Sequence, residues 1–341
     1  MRFMLILVIV GCAIGGWWYF SKRNPAAASD GGELVLNPDT PDASGTAASA
    51  TAGGATGQAT GGLPALGASE LPSETKRALE QADALWAQAG AEAVTGDQAT
   101  TLTAMYGRIL QSLYNQPGMR EHESRLIAER LAPLGTALFF SKSRYPTDAT
   151  GTFAIHVVAA GENPDAIAKK YGMSRELLNR LRGRGVNDSN LSAGDALKVV
   201  KVKEKGFALR VDKGDYVLDC YVAGLFARRY ACSIGAKSSP TPIGRARLAN
   251  RVWHPDWTHP DTKQVLHYGD PGNILGPIWL PLSADDIGQS GIGIHGYTGD
   301  DAKSGAMVSH GCVRLKNEEA EELYQTLSHP DRAQTVIEIA E

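Results

Sequence analysis

From Phe3 to Phe20 the chain runs eighteen residues without a charge, closed by Trp17-Trp18-Tyr19-Phe20 and then Lys22 and Arg23. That length spans a bilayer core, and the aromatic cluster suits the interface. Ala26-Ala27-Ala28 would suit a signal peptidase, but bulky aromatics and two cations separate it from the apolar run, so an uncleaved anchor over residues 1–24 is expected. Residues 25–70 are mostly Ala, Gly, Thr, Ser and Asp, with almost nothing large enough to bury, and read as a disordered tether. Helical spacing then begins. Ala78, Leu79, Ala82, Leu85, Trp86 and Ala89 recur at three and four, with Ser73 as N-cap. A second stripe holds Leu102, Met105, Tyr106, Ile109, Leu110 and Leu113, and a third Leu126, Ile127, Leu131, Leu134 and Leu138. Residues 71–148 are expected to form a small helical bundle whose aromatics are core.

Near residue 153 the period changes. Phe153 to Val158 reads as a strand, Asn163-Pro164 as N-cap and first helical residue, and Ser174 as the start of a second short helix carrying Leu177, Leu178 and Leu181. A closing strand, Ala196 to Val202, follows the turn Ala193-Gly194-Asp195. With His156-Val157-Val158, Gly161, Ile167 to Gly172, Leu177-Leu178 and Gly194 to Leu197, residues 151–203 resemble a LysM module. That resemblance implies a β-α-α-β unit that binds N-acetylglucosamine-containing glycan strands. The sequence departs from the usual pattern at Glu162-Asn163-Pro164 and at Arg182-Gly183-Arg184-Gly185.

Residues 206–341 read as mostly strands. Tyr216 to Val222 and Leu225 to Ile234 flank Ala223-Gly224 as a hairpin. A two-residue turn there places residue 227 opposite Cys220, so Cys220 and Cys232 are read as two packed thiols and not a disulfide. The formal charge of −3 gives no basic field and argues against nucleic acid as a partner. Four cysteines without a C-x-x-C pair suggest neither a disulfide framework nor zinc. His254, His259 and His267 with Asp256 and Asp261 lack regular ligand spacing, so no metal is expected; they read instead as the wall of a substrate groove.

The chemistry concentrates in Gly293-Ile294-His295-Gly296 and Ser309-His310-Gly311-Cys312-Val313-Arg314. A cysteine nucleophile acts as thiolate and needs a base or a cation nearby, and histidine is the side chain suited to that at neutral pH. Glycines beside both permit close backbone approach, and amides near Gly311-Cys312 are suited to a developing oxyanion. With Thr241-Pro242-Ile243-Gly244 and Leu275-Gly276-Pro277-Ile278-Trp279-Leu280 upstream, these blocks resemble the YkuD-type L,D-transpeptidases. The loop between Gly296 and Ser309 is short for that pattern.

The resemblance implies that Cys312 attacks the bond between an L-centre and D-alanine in a peptidoglycan stem tetrapeptide while His295 takes the thiol proton. D-alanine leaves, and an amine resolves the thioester. It further implies that Gly296 orients His295 through its carbonyl and that Ser309, His310 and Gly311 shape the oxyanion side. Arg314 would bind a substrate carboxylate or brace the loop, and no cofactor would be needed. The expected whole is a multidomain α+β chain: one transmembrane helix, a small helical bundle, a LysM-like module and a mostly-β catalytic domain. It would sit single-pass in the bacterial inner membrane with its C-terminal domains facing the wall. The alternatives are an L,D-carboxypeptidase of the same fold and a non-catalytic wall-binding scaffold.

Overall fold

A computed structural model describes residues 71–341, apart from 91–92, 95–97, 143–147, 149, 260–261 and 299–303. The expected anchor and tether lie outside these residues. Among the described ones no helix is long and apolar enough to cross a membrane.

The helical stripes form α1 (Ser73–Ala89), α2 (Gln98–Leu113), α3 (Arg120–Leu126) and α4 (Ala132–Phe139), the last two joined by a π-helical stretch, Ile127–Leu131. Ser73 is the first helical residue and Pro72 occupies the cap position, so the hydroxyl does not cap α1. The expected bundle is not free-standing: α2 and α4 also pack on a strand of the C-terminal sheet. Gly135 makes the approach possible, because a Cβ there would collide with the carbonyl of Ala227.

Next come β1 (Phe153–Val157), α5 (Pro164–Tyr171), α6 (Arg175–Leu181) and β2 (Ala196–Val200), with β1 and β2 antiparallel. Asn163 caps α5 by accepting from the Ala166 amide at 2.9 Å, and Ser174 caps α6 by accepting from Leu177 at 3.0 Å. Gly172 ends α5 in the left-handed region, where only glycine is free of strain and where a Cβ would meet the Lys203 backbone.

The remaining elements are α7 (Val202–Lys205), β3 (Phe207–Asp212), β4 (Val217–Val222), β5 (Leu225–Ala231), β6 (Ile234–Gly235), β7 (Gly244–Arg247) and β8 (Val252–Trp253). They continue through β9 (Trp257–Thr258), β10 (Val265–Leu266), β11 (Ile278–Pro281), α8 (Ala284–Ile287) and β12 (Gly293–His295). The last are β13 (Met307–Ser309), β14 (Val313–Arg314), α9 (Asn317–Thr326) and β15 (Thr335–Ala340). One sheet has the order β5-β4-β3-β15-β7 and another β14-β12-β11-β8. In β15, Thr335, Ile337 and Ile339 are buried and their neighbours are half-exposed, the period-2 signature of a strand with one covered face. β4 is buried almost throughout because both its faces are covered. Asp219 and Tyr221 reach Tyr114 after α2, while Tyr230 and Arg228 on β5 reach Glu322 of α9.

The hairpin differs from expectation by one residue. A β-bulge at Cys220/Tyr221 places Arg228, not Ala227, opposite Cys220. Cys220 and Cys232 are both free and buried.

Asp219 ties the helices to this sheet. Fully buried, it accepts from Arg229 Nε and Nη2 at 2.6 and 2.7 Å and from the Tyr114 hydroxyl at 2.5 Å. Burial, then the nearby Asp219 charge, raises the Tyr114 pKa, so this phenol remains a donor. Asp219→Ala leaves a largely buried guanidinium with only Glu123, at 3.6 Å, among the described residues, and should cost about 3 kcal/mol. Tyr114→Phe should cost nearer 1 kcal/mol. Urea unfolding midpoints at constant slope would measure both.

Candidate active site

β12 lies between β11, with Trp279 opposite His295, and β14, to which it runs parallel. The parallel register sets Ile294 beside Val313 and His295 beside Arg314, so Cys312, one residue earlier, stands next to Gly293. Alternation along β12 sends Ile294 into the core and puts Gly293 and His295 on the other face. Gly293 must be small, since a Cβ there would lie 2.5 Å from the Trp279 ring. The His295 and Trp279 rings lie 5.7 Å apart, tilted.

His295 is 2% exposed. Its Nδ1 contacts the carbonyl oxygen of Gly296, and because that oxygen can only accept, Nδ1 carries the proton and Nε2 is left as a base. Burial, with the Arg314 charge adding to it, pushes its pKa down to about 4; the backbone of Gly296 and Leu275 works the other way. The imidazole is therefore neutral at pH 7. The Cys312 thiol is half-buried and donates to the Gly291 carbonyl at 3.5 Å. Burial raises its pKa, opposed by the Gly293 backbone and Arg314. The thiol and the imidazole thus both rest neutral.

Ser309, at the end of β13, accepts from the Gly311 amide at 3.1 Å and donates to the Cys312 carbonyl at 2.6 Å. Its hydroxyl braces the turn, and the Gly311 amide is already engaged. Gly311 has φ 112°, and a Cβ would lie 2.7 Å from Ile292, so only glycine fits. His310 is exposed. Arg314, 8% exposed, lies 3.9 Å over the Tyr297 ring and donates to Val308 at 3.5 Å; its Nε is buried without a partner. Among the described residues no carboxylate pairs with it.

The two upstream blocks also belong here. Thr241 accepts from the Gly235 amide at 2.8 Å and so steadies β6, which pairs in parallel with the strand ending in Ser309. Leu275 touches His295 through its backbone, and Gly276 (φ 65°) leaves room for the side chain of Asn317. Asn317, like Trp279 and Tyr297, was not singled out from the sequence as a site residue. The paired glycines 276 and 296 were the available signal that something polar fills the space between them.

The segment 254–270 is tied to the edge of the site, where the His254 amide donates to the Pro277 carbonyl at 2.8 Å. His254 stacks on Tyr268 at 3.8 Å, His267 pairs with Asp256 at 3.1 Å, and among the described residues no group could hold a metal ion. Asp261 is outside those residues.

Residues 206–337 match the family described as YkuD, the L,D-transpeptidase catalytic domain. The chain is 25% identical over 172 residues to YkuD of Bacillus licheniformis, covering 50% of this chain and 90% of the relative. It is 31% identical over 111 residues to YqjB of Bacillus subtilis, covering 33% of this chain and 58% of the relative. Both are named as candidate L,D-transpeptidases. Among solved structures it resembles an L,D-transpeptidase from Mycobacterium smegmatis (19% identity, TM-score 0.29, 43% of this chain and 64% of that one). One from Mycobacterium tuberculosis shows 15% identity and a TM-score of 0.32, covering 44% of this chain and 64% of that one. The chain thus spans less than two thirds of YqjB and of both solved chains.

The buried histidine makes stability depend on acid. An unfolded histidine binds a proton below about pH 6.5, whereas His295 stays neutral until about pH 4. Between those values the unfolded state holds more protons, so stability falls as pH falls through the window. Urea midpoints from pH 7 to 4 should drop less steeply for His295→Gln than for the parent. Equal slopes would mean that His295 is readily protonated in the fold.

Proposed function

We propose that this chain, whose residues 206–337 form a YkuD-type L,D-transpeptidase catalytic domain, cross-links peptidoglycan stem peptides through a thioester on Cys312. The supporting observation is a neutral, tautomer-fixed His295 on a strand paired in parallel with the one that Cys312 leads into. As sulfur attacks the carbonyl between the L-centre and D-alanine, Nε2 of His295 takes the thiol proton. The imidazolium returns it to the departing nitrogen, the C–N bond breaks, and D-alanine leaves with the thioester behind. An amine of a second stem peptide then attacks; His295 takes its proton and passes it to sulfur, which restores the thiol. Arg314, with which no carboxylate among the described residues pairs, is suited to a substrate carboxylate. Since the Gly311 amide is occupied by Ser309, the Cys312 amide is the better oxyanion donor of the two.

In the same reading residues 1–24 anchor the chain with its amino terminus in the cytoplasm. Residues 25–70 tether the catalytic domain at a reach of roughly 35 Å, and the strand-helix-helix-strand unit of residues 151–203 holds glycan.

Purified full chain in detergent, given a disaccharide tetrapeptide, should release D-alanine and form a muropeptide dimer, and Cys312→Ala should do neither. Tripeptide without dimer would make the enzyme a carboxypeptidase. No turnover, with retained binding to purified glycan, would leave a scaffold. A reporter fused after Glu341 should be active only on the wall-facing side of the membrane; cytoplasmic activity would overturn the anchor assignment.

A further inference from the structure

The peptide unit between Gly296 and Tyr297 is held at both ends. Its carbonyl accepts from His295 Nδ1, and its N–H donates to Asn317 Oδ1 at 2.8 Å. Oδ1 occupies a slot that two glycines keep open: a Cβ on Gly276 would lie 2.5 Å from it, and one on Gly296 would overlap it. Pro277 closes the slot beside Gly296. Asn317 opens α9 immediately after β14, and the Leu315 amide donates to the His295 carbonyl at 2.9 Å, so segments 295–297 and 315–317 run together.

We propose that Asn317 is a positioning residue for the base. By anchoring the Tyr297 N–H it fixes the Gly296–Tyr297 peptide plane, and that plane holds His295 in the tautomer with Nε2 unprotonated. An amide whose N–H is already bonded is also a stronger acceptor at its carbonyl, so the two bonds reinforce each other. The arrangement does for His295 what a carboxylate does for other catalytic imidazoles, without adding a negative charge. The groups facing His295 are Arg314 on β14, Trp279 on β11 and the backbone of Leu275. A carboxylate in place of Asn317 would favour imidazolium and raise the His295 pKa. The proposal takes the catalytic reading of His295 as its premise, but its spectroscopic test does not depend on turnover.

Asn317→Leu fills the slot without an acceptor, and Asn317→Asp fills it with one. In full chain labelled with 15N-histidine, and with His295→Gln identifying the resonance, the parent should show His295 protonated at Nδ1 alone at pH 7. The leucine variant should show exchange between tautomers and lose about tenfold or more in kcat for D-alanine release, with KM little changed. The aspartate variant should keep the Nδ1-protonated form, with the His295 pKa raised. If the leucine protein does not fold, Asn317→Ala replaces it. A single unchanged tautomer in the leucine or alanine protein overturns the proposal, as does equal impairment of the leucine and aspartate proteins. A fixed tautomer in the parent that is lost in the leucine variant upholds it even if no variant turns over a donor, in which case the transpeptidase reading alone fails.

Discussion

The site depends on the parallel pairing of two very short strands. β12 and β14 contribute three and two residues, and their register alone brings the imidazole-bearing strand beside the cysteine. Parallel neighbours need a crossover of a dozen or more residues, and the stretch from Gly296 to Cys312 supplies it. Because side chains alternate, a slip of one residue would send His295 into the core and Ile294 into the site. A two-residue strand cannot hold register unaided. β14 is held on its other side as well, where Ser233 and Arg314 exchange backbone hydrogen bonds of 2.9 and 2.8 Å. Ser309 then pins the turn that presents Cys312.

That placement determines the form in which the pair rests. Burial raises the thiol pKa above that of a free cysteine and lowers the imidazole to about 4. Moving the proton from the thiol to the imidazole is therefore uphill on both counts. The neutral pair wins, so charge develops only as the sulfur attacks. Arg314 lowers both pKa values, favouring thiolate while opposing imidazolium. Its net help must come from anionic charge on sulfur or substrate, not from stabilising a resting ion pair.

The chemistry was more legible in the sequence than the packing was. The blocks at 241–244, 275–280, 295–296 and 309–314 converge because each supplies a backbone feature that few residues can provide. Gly276 and Gly311 have positive φ, Gly293 and Gly296 make close approaches, and Thr241 offers a short hydroxyl to an amide. Such demands leave marks in single residues. Asn163 before Pro164 was readable for the same reason. The partner of an apolar stripe leaves no such mark. Leu110 and Leu138 announce buried helix faces, but nothing in their spacing says that α2 and α4 share a sheet strand as well as each other. The hairpin bulge was hidden too, because Ala227 and Arg228 have no turn signature that distinguishes one extra residue. Asn317 lay concealed because its partner is a backbone amide.

α9 connects these regions. Its first residue holds the peptide behind His295, and its buried Ala320 and Leu323 belong to the core that also takes Leu280 and Ile294. At its far end Thr326 and Gln325 accept from Arg180 of α6 at 3.0 and 2.9 Å, and the Gln325 carbonyl accepts from Ser174 at 2.5 Å. Arg332, just beyond, donates to Asp165 of α5 at 2.8 Å. The strand-helix-helix-strand unit therefore grips the helix that sets the position of Asn317. These contacts are charge-assisted or buried, and losing several at once would free one end of α9. A helix moves most easily as a rigid piece, so displacement at Thr326 would reach Asn317, about two and a half turns away, largely undamped. The base at the centre of the site is thus held by its own sheet and by a helix whose other end belongs to a neighbouring module.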